Sequence, residues 1–267
     1  MKTIVVTSTA KDAVGYAGKC TASVEAERER LRRLGIPAHV VHRYVAVDEA
    51  TASDARGHGA FVERRDGLAI ENARYIWDAL DPAAIVCWLD GDDQLAPGAL
   101  ERVLSFHARS DVWATYGSFA TDTRIVDWMY HQHFGRRYLG APRLEQWRAS
   151  HLRTFRAGLV QAVPSTYLEA GGAPVTHAID CAVMWCILEL VGQRYAVSTE
   201  INAIYSVTHS EEKKDPELCR QQEQAAVAWL RALSPLDPLE RPNWHQTGGT
   251  NARGNGTQNG PAKRSAE

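Results

Sequence analysis

The alternation of strand and helix signals through the first 120 residues most constrains how this chain can fold. Short apolar, β-branched runs alternate with longer segments of helical spacing and end at polar or Gly/Pro turns. The predicted strands and helices occupy, in turn, residues 2–7, 18–34, 38–47, 68–80, 84–89, 97–107 and 112–119. This order is typical of an α/β fold with a mostly parallel central sheet flanked by helices.

Composition and charge are those of an ordinary soluble domain. Hydrophobic residues make up 45% of the 267-residue chain, and the formal net charge is -2, which excludes a global basic field for nucleic acid. The apolar runs are too short to predict a membrane-spanning helix, and the apolar stretch near the start is too short for a signal peptide. The five cysteines lack a paired metal spacing, so they are predicted to be buried reduced thiols of a cytoplasmic protein.

Two regions are expected along the chain. Residues 1–240 form one domain, with a further helix predicted at 180–190, a strand at 195–205 and a helix at 216–233. Residues 241–267 are rich in Gly and Asn and predict a disordered polar tail.

Acidic residues follow the third predicted strand directly, in the sequence WLDGDDQL at 88–95. Carboxylates crowded this closely repel one another unless a cation or hydrogen-bond donors offset their charge. Hard oxygen ligands at the end of a parallel strand suit Mg²⁺ or Mn²⁺ bridging to a diphosphate. The alternative is a solvated acidic turn in which Asp93 caps the helix that Pro97 opens. Calcium-binding and aspartyl-phosphatase loops fit less well, since Gln94 and Leu95 follow the acids.

The passage AIVCWLDGDDQLAPGALERVL resembles the DxD region of family 2-type glycosyltransferases with the GT-A fold. Upstream, RDGLAIENA at 65–73 is similar to the family's Gly-x-x-x-x-Asn passage, and VDEAT at 47–51 to its VDDGS turn, from which Glu49 and Ala50 depart. Downstream, THAID at 176–180 matches the position of the family's catalytic acid, with Ile179 in place of the usual Glu. His209 stands where many members supply a metal ligand.

The resemblance implies a Rossmann-like, nucleotide-diphospho-sugar transferase fold over roughly residues 1–230 and a metal-dependent, inverting glycosyl transfer. Asp180 would be the general base, and a divalent ion, Mn²⁺ or Mg²⁺, would stabilise the leaving diphosphate. The implied metal ligands are Asp90, Asp92 and His209. The implied donor-binding residues are Thr7, Ser8, Thr9, Asp48, Asn72, Asp90 and Arg153.

Each of these roles has a structural alternative. Asp180 could be the N-cap of the helix that follows it, and His209 a surface histidine. Arg153 could fork onto a phosphate or pair with a carboxylate. Lys213 and Lys214 could contact the diphosphate or belong to a solvated charge run.

The partners are less constrained. The expected donor is a UDP-linked sugar, and the acceptor a glycan or small molecule, with hydroxylated bases of viral DNA a weaker candidate. The aromatic and basic stretch 128–138 could form an acceptor groove or a packing cluster.

Two other functions stay open. One is a non-catalytic module that binds a nucleotide sugar or glycan. The other is a nucleotidyltransferase, although TSTAKDAVGYAGK matches the Gly-rich loop of that class poorly.

Overall fold

A central sheet of eight strands organises the described part of the molecule. The computed structural model describes residues 1–121, 137–206, 216–241 and 244. The strands are β1 (Lys2–Ala10), β2 (Ala38–Ala46), β3 (Phe61–Arg64), β4 (Ile85–Trp88), β5 (Gln94–Leu95), β6 (Ala114–Thr121), β7 (Arg153–Arg156), β8 (Glu169–Ala170), β9 (Ala173–Pro174) and β10 (Tyr195–Tyr205). The helices are α1 (Ala17–Arg33), α2 (Glu49–Ala55), α3 (Ala69–Trp77), α4 (Ala99–Phe106), α5 (Ala157–Gln161), α6 (Ile179–Val191) and α7 (Pro216–Ala232).

The pairing of the strands, in the order β3-β2-β1-β4-β7-β6-β10-β5, confirms an α/β fold with a mostly parallel sheet. Strands β3, β2, β1 and β4 form one parallel block, and β6 pairs in parallel with β10. Strand β7 lies between the two blocks and is antiparallel to both β4 and β6. The acidic turn therefore follows a strand in the middle of the sheet, as its continuous apolar character predicts.

Several elements differ from the sequence prediction. The polar stretch after β2, expected to be a turn, contains α2, in which the Asp48 side chain caps the backbone amide of Thr51. Strands β3, β5, β7, β8 and β9 and helix α5 were not predicted. Helix α4 begins at Ala99 after Gly98, which has a φ of 81°, so Pro97 precedes the helix instead of occupying its first turn.

Two apolar clusters make up the core of the described residues. One includes Trp77, Trp88, Phe155 and the apolar residues of α6 from Cys181 onward, and this helix is buried because almost all of its surface is apolar. The other lies between the sheet and α1, α2 and α4. All five cysteines are free thiols, and four of them are buried.

The expected polar tail and the expected lack of a membrane span concern residues that are only partly described. Within the stretch predicted to be a tail, Trp244 is buried and packs edge-on against Trp113, with ring centroids 5.1 Å apart. Residues 242–243 and 245–267 lie outside the described part of the chain. No helix within the described residues is both long and apolar enough to cross a membrane.

Candidate active site

Two adjoining cavities open beside the carboxyl ends of β1 and β4 and the start of α6. The larger has a volume of about 640 Å³ and the smaller about 350 Å³. Asp90 lines both cavities, Asp92 lines only the larger, and Arg153 and Asp180 line only the smaller. The site therefore has two compartments that meet at the first acid of the DGDD turn.

The acidic turn is built around Gly91. The Gly91 N–H donates to the carbonyl of Thr9 (3.1 Å), and the Tyr44 hydroxyl donates to the carbonyl of Gly91 (2.7 Å). A Cβ at this position would meet the Ala10 Cβ at 2.6 Å and the Thr9 carbonyl at 2.8 Å. Only glycine allows the turn to lie this close to β1 and β2.

The three acids of the turn have different environments. The Asp90 side chain is 37% exposed, whereas that of Asp93 is fully buried. The Ser206 N–H donates to Asp93 Oδ1 (2.9 Å), so Asp93 contacts the end of β10 and does not cap α4. Burial and the nearby charges of Asp90 and Asp92 raise the pKa of Asp93 well above its usual value.

Asp90, Asp93 and His151 form a candidate cation site. One ligand atom from each lies within 4.8 Å of the other two. His151 Nδ1 is 3.8 Å from Asp90 Oδ2 and 3.6 Å from Asp93 Oδ2. His151 Nδ1 and Asp93 Oδ2 are both buried without a hydrogen-bond partner.

These residues fit a divalent cation. Ligands at about 2.1 Å from Mg²⁺ stand roughly 3 to 4 Å apart. Burial, reinforced by the Arg153 charge, lowers the pKa of His151 well below its usual value, so the ring is neutral, which is the form that binds metals. Asp93 and His151 were not among the metal ligands expected from the sequence. His209, which was among them, lies outside the described residues.

Asp180 is in the first turn of α6 and faces the smaller cavity. Its Oδ2 is 3.3 Å from Arg153 Nη2, and its Oδ1 accepts the Cys181 N–H (2.9 Å). The N-cap of the helix is Ala178, in the left-handed conformation with a φ of 51°. Asp180 is therefore inside the helix and is not its N-cap.

The residues expected to bind the donor divide into two groups. Thr9 and Asn72 line the larger cavity with Asp90 and Asp92. The remaining members of the set do not line this cavity. Thr7 Oγ1 accepts the Trp77 indole N–H (3.1 Å), and Ser8 Oγ contacts His42 Nε2 (3.1 Å). Asp48 caps α2, and Arg153 lines only the smaller cavity.

Asp48 also holds the loop that follows β1. Its Oδ2 accepts the Asp12 N–H (2.8 Å) and the Thr51 hydroxyl (2.8 Å). Although slight burial raises the pKa of Asp48, these hydrogen bonds lower it by more. This loop carries Lys11, a residue not expected at the site from the sequence, which lines the larger cavity.

The other expected contacts are largely undescribed. Lys213, Lys214 and residues 128–136 lie outside the described part of the chain. Of the aromatic and basic stretch, Arg137 stacks on the Tyr195 ring at 4.1 Å, and Tyr138 is buried. These two residues belong to a packing cluster.

Comparison with known proteins gives structural matches only. No protein-family model and no curated protein matches the sequence. Mannosyl-3-phosphoglycerate synthase from Rubrobacter xylanophilus superposes with a TM-score of 0.56 at 18% identity, over 85% of this chain and 73% of that one. Glucosyl-3-phosphoglycerate synthase from Mycobacterium tuberculosis, in complex with Mg²⁺ and UDP, gives 0.55 at 13% identity, over 87% and 80%.

TarS from S. aureus gives a TM-score of 0.53 at 11% identity over 85% of this chain, which spans 41% of the length of TarS. At such low identities the likeness establishes the fold. The chain has the GT-A glycosyltransferase fold that its DGDD passage implies.

Proposed function

We propose that the protein is a metal-dependent glycosyltransferase that moves a sugar from a nucleotide-sugar donor to an acceptor hydroxyl. One observation carries this proposal: within a GT-A fold, Asp90 lies where two cavities meet, with Asp92 in the larger and Asp180 in the smaller. Similar structures were determined with UDP, UDP-GlcNAc or Mg²⁺ bound, which supports a UDP-linked donor.

The larger cavity is the proposed donor site. Its volume of about 640 Å³ is within the usual range of small-molecule pockets. Thr9 and Asn72 offer hydrogen-bonding groups to a nucleoside, and Lys11 offers a positive charge to a diphosphate.

A divalent ion, Mn²⁺ or Mg²⁺, is proposed at the acidic turn. Asp90 belongs both to the set expected from the sequence, with Asp92 and His209, and to the cluster with Asp93 and His151. When bound, such an ion stabilises the negative charge that the departing diphosphate gains.

The transfer itself is assigned to the smaller cavity. The acceptor oxygen attacks the anomeric carbon, the bond from that carbon to the diphosphate oxygen breaks, and the diphosphate leaves with the electron pair. Asp180 accepts the proton of the attacking hydroxyl. A single direct displacement of this kind inverts the anomeric centre.

A donor screen tests the proposal without knowledge of the acceptor. Nucleotide diphosphate release from UDP-glucose, UDP-GlcNAc and GDP-mannose would be measured with and without Mn²⁺, beside Mn²⁺ binding by electron paramagnetic resonance. We expect Mn²⁺-dependent release of UDP, which Asp180→Asn slows at least ~10²-fold without weakening UDP binding.

Variants of the acids identify the ion's ligands. Asp90→Asn should abolish Mn²⁺ binding under either ligand set. If Asp92→Asn loses Mn²⁺ binding and His151→Gln retains it, the ion is assigned to the set of Asp90, Asp92 and His209. The opposite result assigns the ion to the cluster of Asp90, Asp93 and His151.

The remaining outcomes separate the alternatives. Mn²⁺-dependent binding of a nucleotide sugar with no release, even with glycan, small-molecule and hydroxymethylated-DNA acceptors present, would indicate a binding module. Absence of both binding and release for every donor would refute the proposed function.

A further inference from the structure

We infer that Arg153 is a positioning residue that holds Asp180 and Asp90 in place across the smaller cavity, and that it is not a ligand of the donor diphosphate. The catalytic meaning of this inference rests on the proposed function. Its structural content, that a guanidinium couples two carboxylates from different parts of the chain, is independent of the proposed function.

The guanidinium of Arg153 lies between the two acids. Nη2 is 3.3 Å from Asp180 Oδ2, and Nη1 is 3.7 Å from Asp90 Oδ2. The Arg153 side chain is only 4% exposed, whereas the side chains of Asp180 and Asp90 are 30% and 37% exposed. A planar guanidinium can hold two carboxylates in fixed directions, as an ammonium cannot.

The surroundings of Arg153 keep its guanidinium in one place. It stacks on the Trp88 ring at 4.8 Å, and its Nε donates to the Ala149 carbonyl at 3.4 Å. Trp88 is also the register partner of Arg153, because β7 runs antiparallel to β4. The insertion of β7 into the sheet thus brings a cation beside the end of β4.

The same placement argues against a phosphate ligand. Arg153 lines the smaller cavity but not the larger one, where the donor is proposed. Its charge already faces two carboxylates, and turning it toward a diphosphate would leave Asp180 without this partner. By holding Asp180, Arg153 fixes the direction in which the base meets the acceptor hydroxyl.

The first test needs no ligand. Unfolding by urea would be compared for the wild type, Arg153→Ala, Asp180→Asn and the double variant. We expect non-additive losses, with the double variant destabilised by less than the sum of the single variants. Additive losses would show that the two side chains are not coupled, and would overturn the inference whatever the protein's activity.

The second test separates positioning from phosphate binding, using UDP with Mn²⁺ as the probe. Arg153→Ala should keep its Kd for UDP within about threefold, while kcat for UDP release falls about 10²-fold, the scale of a misplaced catalytic group. Millimolar guanidinium chloride should restore part of kcat, and Arg153→Lys should restore less than the free guanidinium does.

Arg156, at the other end of β7, is the matched control. Its guanidinium donates to the backbone carbonyls of Ala83 (2.7 Å) and His107 (3.2 Å). Arg156→Ala should lower stability but show no guanidinium-dependent gain in kcat.

A tenfold or larger rise in the UDP Kd of Arg153→Ala, with kcat unchanged, would make Arg153 a diphosphate ligand instead. Equal behaviour of the two arginine variants would reduce its role to structural support. A wild type that neither binds nor turns over any donor would refute the proposed function, while the urea experiment would still decide whether Arg153 and Asp180 are coupled.

Discussion

At the scale of single residues, the site depends on the absence of a side chain at Gly91. The backbone of the turn packs against β1 and the Tyr44 hydroxyl, with no room for a Cβ. Asp90 and Asp92 flank this glycine, so any displacement of its backbone moves both carboxylates.

We therefore predict that Gly91→Ala lowers kcat/KM for UDP release about 10²-fold, because even a 1 Å displacement of catalytic groups has an effect of this size. Steady-state kinetics would measure the loss. Gly57→Ala is the control, since a Cβ at Gly57 meets nothing within 4 Å and should change neither activity nor stability. Equal activity of the two variants would contradict the packing argument.

The residues of the site were only partly predictable. Asp90, Asp92 and Asp180, which line the two cavities, could be named as candidates because acids after a strand, or at the start of a helix, show in a single stretch of sequence. Asp93 and His151 could not be paired, since 58 positions separate them and only the antiparallel β7 brings them together. Thr7 and Ser8 were expected near the end of the first strand, but β1 continues to Ala10, and Trp77 and His42 contact their hydroxyls.

At the scale of elements, a buried ion pair joins α6 to the segments that pack on it. Arg143 binds Glu189 through two contacts, Nε to Oε1 at 2.5 Å and Nη2 to Oε2 at 2.6 Å, and its Nη1 donates to the Leu230 carbonyl at 2.8 Å. Helix α7, which contains Leu230, also supplies Cys219 and Glu223 to the wall of the smaller cavity. The pair thus anchors one wall of the site.

We predict that Arg143→Met lowers the free energy of unfolding by about 3–5 kcal/mol, because it leaves the charge of Glu189 buried without its partner. Urea denaturation would measure the change. The exposed pair of Arg109 and Asp111 is the comparison, and Asp111→Asn should cost at most about 1 kcal/mol. A loss below 1 kcal/mol for Arg143→Met would show that the pair contributes little.

The helices and strands were predictable where their pattern of apolar and polar residues extended over many positions. Helices α1, α6 and α7 and strands β2 and β10 lie within one or two residues of their predicted bounds. Strand β7 was missed because RTFR places an arginine at each end of a four-residue segment, which alternation of apolar residues does not reveal. Helix α2 was missed because EATASDA is short and polar, although Asp48 ahead of it is a cap signal.

At the scale of the whole molecule, buried histidines make stability depend on pH. Burial and the Arg28 charge lower the pKa of His42 to about 3, and burial lowers the pKa of His107 well below its usual value. Below the usual histidine pKa of about 6.5, the unfolded chain therefore takes up protons that the folded protein does not. The free energy of unfolding should fall as the pH decreases from about 6.5 toward 4.

We predict that His42→Asn makes the free energy of unfolding fall less steeply with decreasing pH, by roughly 1.4 kcal/mol per pH unit, which corresponds to one proton fewer taken up on unfolding. Urea unfolding at several pH values would measure the slope, which is independent of any uniform loss of stability. His39→Asn, at an exposed position of the same strand, is the control. An unchanged slope in His42→Asn would show that this ring does not contribute to the acid sensitivity.

The position of β7 has a consequence for the order of folding. The parallel block from β1 to β4 is contiguous in sequence, and the DGDD turn follows it directly, so this block can form through its own βαβ units. Arg153 and Asp180 join it only through β7 and α6, whose contacts span much longer loops. We expect an early folding species that already contains the acidic turn, so that in a nascent chain the carboxylates are placed before α6 and α7 complete the walls of either cavity.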